Sequence, residues 1–222
     1  MKIKKLANTA LNFSINRIIE IVGLGTIIIS FLLLISLFSF SPDDPNFIFP
    51  ENTRINNLLG FRGSFTADIF FQSFGLISLL IPFSFILTGI NILLNKKIFL
   101  LIESFFYSIL YLSFGSLFFS FFYSNSFELY INGNGGFIGN YLNTTFLNYL
   151  ININSQFSYY LLIIIVLALF LISIQFKIKV FYNFMKNMFF SFFINKEKNY
   201  TNKNEIINEF IPQEEIKSLI QE

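Results

Sequence analysis

Few residues in this chain are equipped for chemistry. It contains no cysteine and no histidine, so thiol nucleophiles, disulfides and zinc or haem sites built on those ligands are excluded, and catalysis would rest on carboxylates, lysines or hydroxyls. The adjacent carboxylates Asp43 and Asp44 invite a divalent cation, which needs six or more oxygen ligands. No third ligand follows at a set spacing, and a turn closed by side-chain-to-backbone hydrogen bonds accounts for the pair more simply. Glu20, Asp68 and Glu103 stand at the margins of apolar runs, away from the mid-depth position that a proton relay requires. Ser104, Ser108, Ser116 and Ser120 recur at helical-turn spacing; they would either line a polar path or bond back to the preceding turn. Gly133-Asn134-Gly135-Gly136-Phe137-Ile138-Gly139 has the spacing GxGxxxG, not the dinucleotide fingerprint, and neither a strand nor a suitably placed acid accompanies it. Phosphate-loop, HExxH and GxSxG motifs are absent. Nothing here argues for an enzyme, and no cofactor or metal is expected.

The elements that would position these residues are membrane helices. Of 222 residues, 54% are hydrophobic and 13% charged, with a mean hydropathy of +0.64, far from a soluble average. A spanning helix needs about 20 apolar residues, and four stretches meet that need: about 18–40, 68–94, 99–123 and 158–177. The first has basic residues before it, as a signal peptide does, but its apolar run is too long for one. The sequence predicts an all-α membrane protein, with a four-helix membrane domain over 1–179. Residues 180–194 follow as an amphipathic juxtamembrane helix, with Phe181, Phe184, Met185, Met188, Phe189, Phe192 and Phe193 on one face. Residues 195–222 form a polar, asparagine-rich linker. A last helix begins near Pro212 and shows no stop signal, so the natural protein is expected to continue past Glu222.

Charge sets the topology. Of the 15 lysines and arginines, 13 fall before the first span, between the second and third, or after the fourth; Arg54 and Arg62 lie in the remaining segments. The positive-inside rule then places both termini in the cytoplasm and the two long loops outside. In the second of these, Phe137, Tyr141, Leu142, Phe146, Tyr149 and Leu150 share one side of a short helix that would lie on the outer membrane face. Glu103 is expected to pair with Lys96 or Lys97 at the inner boundary.

Within the second span Asp68, Gly75, Pro82 and Gly89 recur every seven residues, nearly two helical turns, and form one stripe. Small residues let helices approach closely in lipid, so Gly75, Pro82 and Gly89 suit helix packing, with a kink at Pro82. The plainer alternative is that glycine and proline are simply common in membrane helices. Asp43, Asp44, Pro45, Gly60, Gly63 and Asp68 would shape the outer loop and the entrance to that helix. Asp68 would cap the helix's first turn or pair with Arg62. Gly135, Gly136 and Gly139 make a turn into the outer helix.

These residues also carry a resemblance. Ser41-Pro42-Asp43-Asp44-Pro45, then the run from Asn57-Leu58-Leu59-Gly60-Phe61-Arg62-Gly63 to Asp68, then Phe74-Gly75 and Pro82, and finally Gly135-Gly136-Phe137-Ile138-Gly139, resemble the N-terminal four-helix membrane domain of the FtsK/SpoIIIE DNA translocases. Ser64 departs from that pattern, which has alanine there, and the motor with its ATP-binding loop is absent. The resemblance implies an anchor in the bacterial inner membrane, at the division septum, that helps assemble or stabilise the division machinery and serves chromosome partition through the cell cycle. It implies membrane lipid and division-machinery membrane proteins as partners and homo-oligomerisation through a missing motor; no basic patch supports direct DNA contact from this chain. The alternative function is a small transport or channel subunit, with the four serines as its candidate lining.

Overall fold

The computed structural model describes residues 2–45, 54–124 and 131–177, together with residues 183 and 186. Every regular element among them is helical: α1 (Lys2–Phe38), α2 (Gly60–Phe74), a 3-10 stretch (Gly75–Leu79), α3 (Leu80–Asn95), α4 (Phe99–Phe122), α5 (Gly136–Asn143), α6 (Phe146–Ile153) and α7 (Ser155–Ser173). Among the described residues, four helical segments are long and apolar enough to cross a membrane: Thr9–Phe38, Gly60–Asn95, Phe99–Phe122 and Ser155–Ser173. Helices suit that role because hydrocarbon offers no partner for an unpaired backbone group.

The chain divides into two units, Met1–Phe176 and Lys177–Glu222. In the second, Asn183 and Lys186 are helical and exposed; the rest of the expected amphipathic helix and the polar linker lie outside the described residues. In the first, α1 packs along α3, and α4 along α7 and α5. Its core gathers Ile77, Ile81, Tyr111, Leu112 and Val166, flanked by a cluster of Leu37, Ala67 and Phe71 and another of Leu117, Ile151 and Leu162.

Two helices begin earlier than the apolar runs that announce them. α1 starts at Lys2 and α2 at Gly60, ahead of the expected 18 and 68. Lysine, arginine or aspartate ends an apolar stretch without ending a helix. The irregularity in the second span covers Gly75–Leu79, on the N-terminal side of Pro82, which itself stands in the first turn of α3. A proline withdraws the bond to the carbonyl four residues back and crowds it, so its effect falls on Ser78. The Ser78 hydroxyl donates to the Gly75 carbonyl at 2.7 Å within this stretch.

The expected outer helix is two helices. The Thr144 hydroxyl donates to the Tyr141 carbonyl and that of Thr145 to the Leu142 carbonyl, at 2.7 and 2.6 Å. Such local bonds compete with helix continuation, and Thr145 then caps α6 by accepting from the Leu147 amide. Asn154 caps α7 by accepting from the Phe157 amide at 3.0 Å. α3 ends where Lys96 turns left-handed, at φ +54°, with its amide bonded to the Ile92 carbonyl at 2.8 Å.

Candidate functional site

Two junctions gather most of the residues singled out in the sequence. The first ties the C-terminal end of α1 to the start of α2. Asp44 is buried, and its carboxylate accepts from the backbone amides of Asn56 and Asn57, at 2.7 and 2.8 Å. It thereby closes the 12-residue separation between Asp44 and Asn56. Asn57, also buried, donates from its side-chain amide to the carbonyls of Ser36 and Ser39, at 2.9 and 3.2 Å, while its Oδ1 accepts from the Leu59 amide at 3.1 Å. A Cβ on Gly63 would stand 2.1 Å from that Oδ1, so this residue must be glycine for Asn57 to fit. The Gly63 carbonyl accepts from Ser36 Oγ at 2.6 Å, and Ser64 Oγ donates to the Pro45 carbonyl at 3.1 Å. Gly60 turns left-handed, at φ +65°, in open space. Asp43 is exposed.

The second junction sits at the break between α2 and α3. The Leu76 amide donates to the Asn134 carbonyl at 3.0 Å, and a Cβ on Gly75 would lie 1.9 Å from that oxygen. From α4, Ser116 Oγ donates to the Phe74 carbonyl at 2.7 Å, satisfying a carbonyl at the C-terminal end of α2. The glycine turn packs on the same face of α4: a Cβ on Gly135 would meet the Ser116 carbonyl at 2.6 Å, and one on Gly139 would meet it at 2.3 Å. Ser120 Oγ donates to Asn140 Oδ1 at 2.8 Å, and Asn134 donates from its side-chain amide to the Tyr123 carbonyl.

Asp68 joins this second junction rather than capping a helix. α2 starts nearby at Gly60 with Leu59 as its N-cap, so Asp68 lies mid-helix, buried, accepting from Gln72 Nε2 at 3.4 Å. Gln72 in turn accepts from Asn132, both at its side chain and at its carbonyl, each at 3.3 Å. Gly75 accordingly meets the glycine turn. Gly89 meets another helix: a Cβ there would come within 2.9 Å of the Gly23 carbonyl and 2.6 Å of Ile27 Cγ1, both on α1. Pro82 is buried.

Sequence reasoning did not single out Gly23, or Gly115 of α4, whose missing Cβ leaves room for Ile77 at 2.4 Å. A lone glycine in an apolar run gives no signal until its partner is known. Lys96 pairs with Glu20 at 2.6 Å, and Arg17 pairs with the same carboxylate; among the described residues the expected pairing of Glu103 with Lys96 or Lys97 is not formed. The serines of α4 face neighbouring helices. Ser104 accepts from Thr88 Oγ1 at 2.8 Å and approaches Ser173 Oγ at 3.2 Å, while Ser108 donates to the Ser104 carbonyl at 2.8 Å.

Among the described residues, no group of three or more acidic side chains stands where it could hold a metal. Apart from Asn134 Oδ1, which is buried without a hydrogen-bond partner among the described residues, the carbonyls and amides named in the two junctions are engaged with one another, an arrangement that fixes backbones.

Residues 16–187 match the family described as the 4TM region of DNA translocase FtsK/SpoIIIE. The DNA translocase FtsK of Rickettsia bellii (strain RML369-C) is 38% identical over 74 residues, which are 33% of this chain and 9% of that protein. The match thus spans about a tenth of that relative's length. No solved structure matches.

Proposed function

Because the chain belongs to the family of the 4TM region of the DNA translocases FtsK/SpoIIIE, we propose that it anchors such a translocase in the bacterial inner membrane, at the division septum. The observation that carries this reading is the extent of the family match: residues 16–187 take in all four candidate spans apart from the first seven residues of one. In this reading both termini lie in the cytoplasm, an orientation that the distribution of lysine and arginine supports. The Asp44–Asn57 and Gly75–Gly136 junctions then stand at the outer end of the bundle, and the Glu20–Lys96 pair at the inner end. α5 and α6 carry exposed Phe137, Tyr141, Phe146 and Tyr149 and rest in the outer interface, where aromatic rings are favoured.

On this reading the membrane unit serves as a firm attachment and as a surface for division-machinery membrane proteins, while a motor, in the same polypeptide or another, performs ATP hydrolysis and DNA transport. Homo-oligomerisation follows from the motor. A channel reading would need the α4 serines to face a path; the bonds of Ser104 to α3 and α7, of Ser116 to α2 and of Ser120 to α5 favour the scaffold instead.

The test is localisation in the source bacterium. A fluorescent fusion to this chain is expected to concentrate at midcell in dividing cells, and a reporter active in the cytoplasm alone is expected to work at either terminus. Uniform membrane fluorescence would overturn the septal role, and an inactive reporter at one terminus the topology.

A further inference from the structure

Between α1 and α2 lies an open groove of about 450 Å³. Ile29, Leu32 and Ser36 of α1 form one wall, and Arg62, Thr66 and Phe70 of α2 the other. From Ile29 to Ser36 its α1 wall rises about 10 Å, at 1.5 Å per residue, within a helix whose span ends at Phe38. Arg62 is exposed, and among the described residues its guanidinium forms no ion pair. Its neighbour Gly63 is bonded to Ser36, so the cation sits toward the end of the α1 span, with the apolar wall leading away from it down to Ile29.

We infer that this groove holds one acyl chain of an anionic phospholipid whose phosphate sits on Arg62. The inference rests on the membrane placement of α1 proposed above. One leaflet of hydrocarbon is about 15 Å deep, so an apolar wall of this length ending beside a cation at the span's margin matches a lipid in shape and in charge. A basic residue in a pocket between membrane helices recognises an anionic headgroup, and the chain packs below it. Arginine suits the role because its planar guanidinium donates two parallel hydrogen bonds to a phosphate.

The chain has no tryptophan, so an Ile29→Trp variant places a single fluorophore at the deep end of the groove. Proteoliposomes of phosphatidylcholine would carry increasing fractions of phosphatidylglycerol or phosphatidylcholine brominated on the acyl chain, which quenches tryptophan on contact. We expect half-maximal quenching at about fivefold lower mole fraction for phosphatidylglycerol, the preference that one interfacial arginine confers. Arg62→Gln is expected to abolish the preference and Arg62→Lys to keep part of it. Native mass spectrometry of the chain without the reporter is expected to retain phosphatidylglycerol in an Arg62-dependent way.

Equal quenching by the two lipids would overturn the proposal. So would reversal by inorganic phosphate, which would mark a site for a free anion. Ile164→Trp, on an exposed position of α7, is the control. Quenching there but not at Ile29→Trp would mean that a protein chain, not lipid, covers the groove. Quenching at neither would overturn the membrane placement itself, and the lipid site with it.

Discussion

Gly75 and Gly136 meet backbone to backbone: a Cβ on Gly136 would stand 2.5 Å from the Gly75 nitrogen, and both residues are left-handed, at φ +72° and +64°. Two turns distant in sequence thus occupy one another's side-chain space. The contact seats the segment after Asn132 in the break between α2 and α3, where it supplies the carbonyl that the Leu76 amide needs.

Substitution at this contact should be costly for two separable reasons. Gly133, in the same turn, is also left-handed, at φ +66°, but has nothing within 4 Å of a Cβ position. Gly133→Ala isolates the conformational penalty, about 1–2 kcal/mol. Gly136→Ala adds collision with the backbone of Phe74 and Gly75, for a total of about 3 kcal/mol or more. Heating the detergent-solubilised protein and measuring the monodisperse fraction by size exclusion should rank wild type above Gly133→Ala above Gly136→Ala. Equal shifts for the two variants would mean that the close contact is not formed.

The two adjacent aspartates should behave unlike one another. Asp44 holds two backbone amides inside the protein, and a hydrogen bond to a charged group contributes about 1.5–3 kcal/mol. Asp44→Ala strands both donors and is expected to cost about 3 kcal/mol, whereas Asp43→Ala, at an exposed position, should change stability by less than about 0.5 kcal/mol. The same thermal assay checks both. Added calcium should leave every midpoint unmoved if the Asp44 carboxylate is a backbone clamp.

How much of this could be read in the sequence depended on whether the cause was local. The four spans follow from apolar length, and the turn at Asp43-Asp44 from its prolines and acids. Helix starts were missed at Lys2 and Gly60 because charge interrupts hydrophobicity, not helical geometry. The seven-residue spacing put Gly75 and Gly89 on one stripe, yet their partners differ: Gly89 meets α1, and Gly75 meets Asn134 and Gly136. Which backbone fills a missing side chain is a tertiary fact, and spacing along one helix does not carry it. Glu20 took Lys96 from Glu103 for the same reason, since the pair joins residues 76 positions apart.

The Gly23–Gly89 contact yields an ordered series. A Cβ on Gly23 would come no nearer than 3.1 Å to Ile92 or Leu93 and 3.2 Å to the Gly89 carbonyl. Shifts of a few tenths of an ångström in those two side chains and in the Gly89 carbonyl admit it, and alanine's better helix propensity, about 1 kcal/mol, offsets the crowding. Gly89→Ala meets α1 at 2.6–2.9 Å and should be the more damaging, with Gly89→Leu worse again by about 2 kcal/mol from overpacking. Crosslinking between cysteines introduced on α1 and α3 would report the separation; equal yields for Gly23→Ala and Gly89→Leu would contradict it.

Ser104 offers the sharpest separation of a scaffold from a conduit. It is fully buried and stands between Thr88 of α3 and Ser173 of α7, so its hydroxyl joins three helices. Hydrogen bonds between membrane helices contribute about 0.6 kcal/mol on average, because the separated helices find other partners. Ser104→Ala is therefore expected to lower thermal stability slightly. The Ser104/Ser173 double-alanine variant should lose less than the sum of the singles, since the two hydroxyls bond each other. Ion flux through proteoliposomes containing wild type and Ser104→Ala should match that of protein-free vesicles. A flux present in wild type and altered by Ser104→Ala would make the seam a path, and would replace the scaffold reading with a channel.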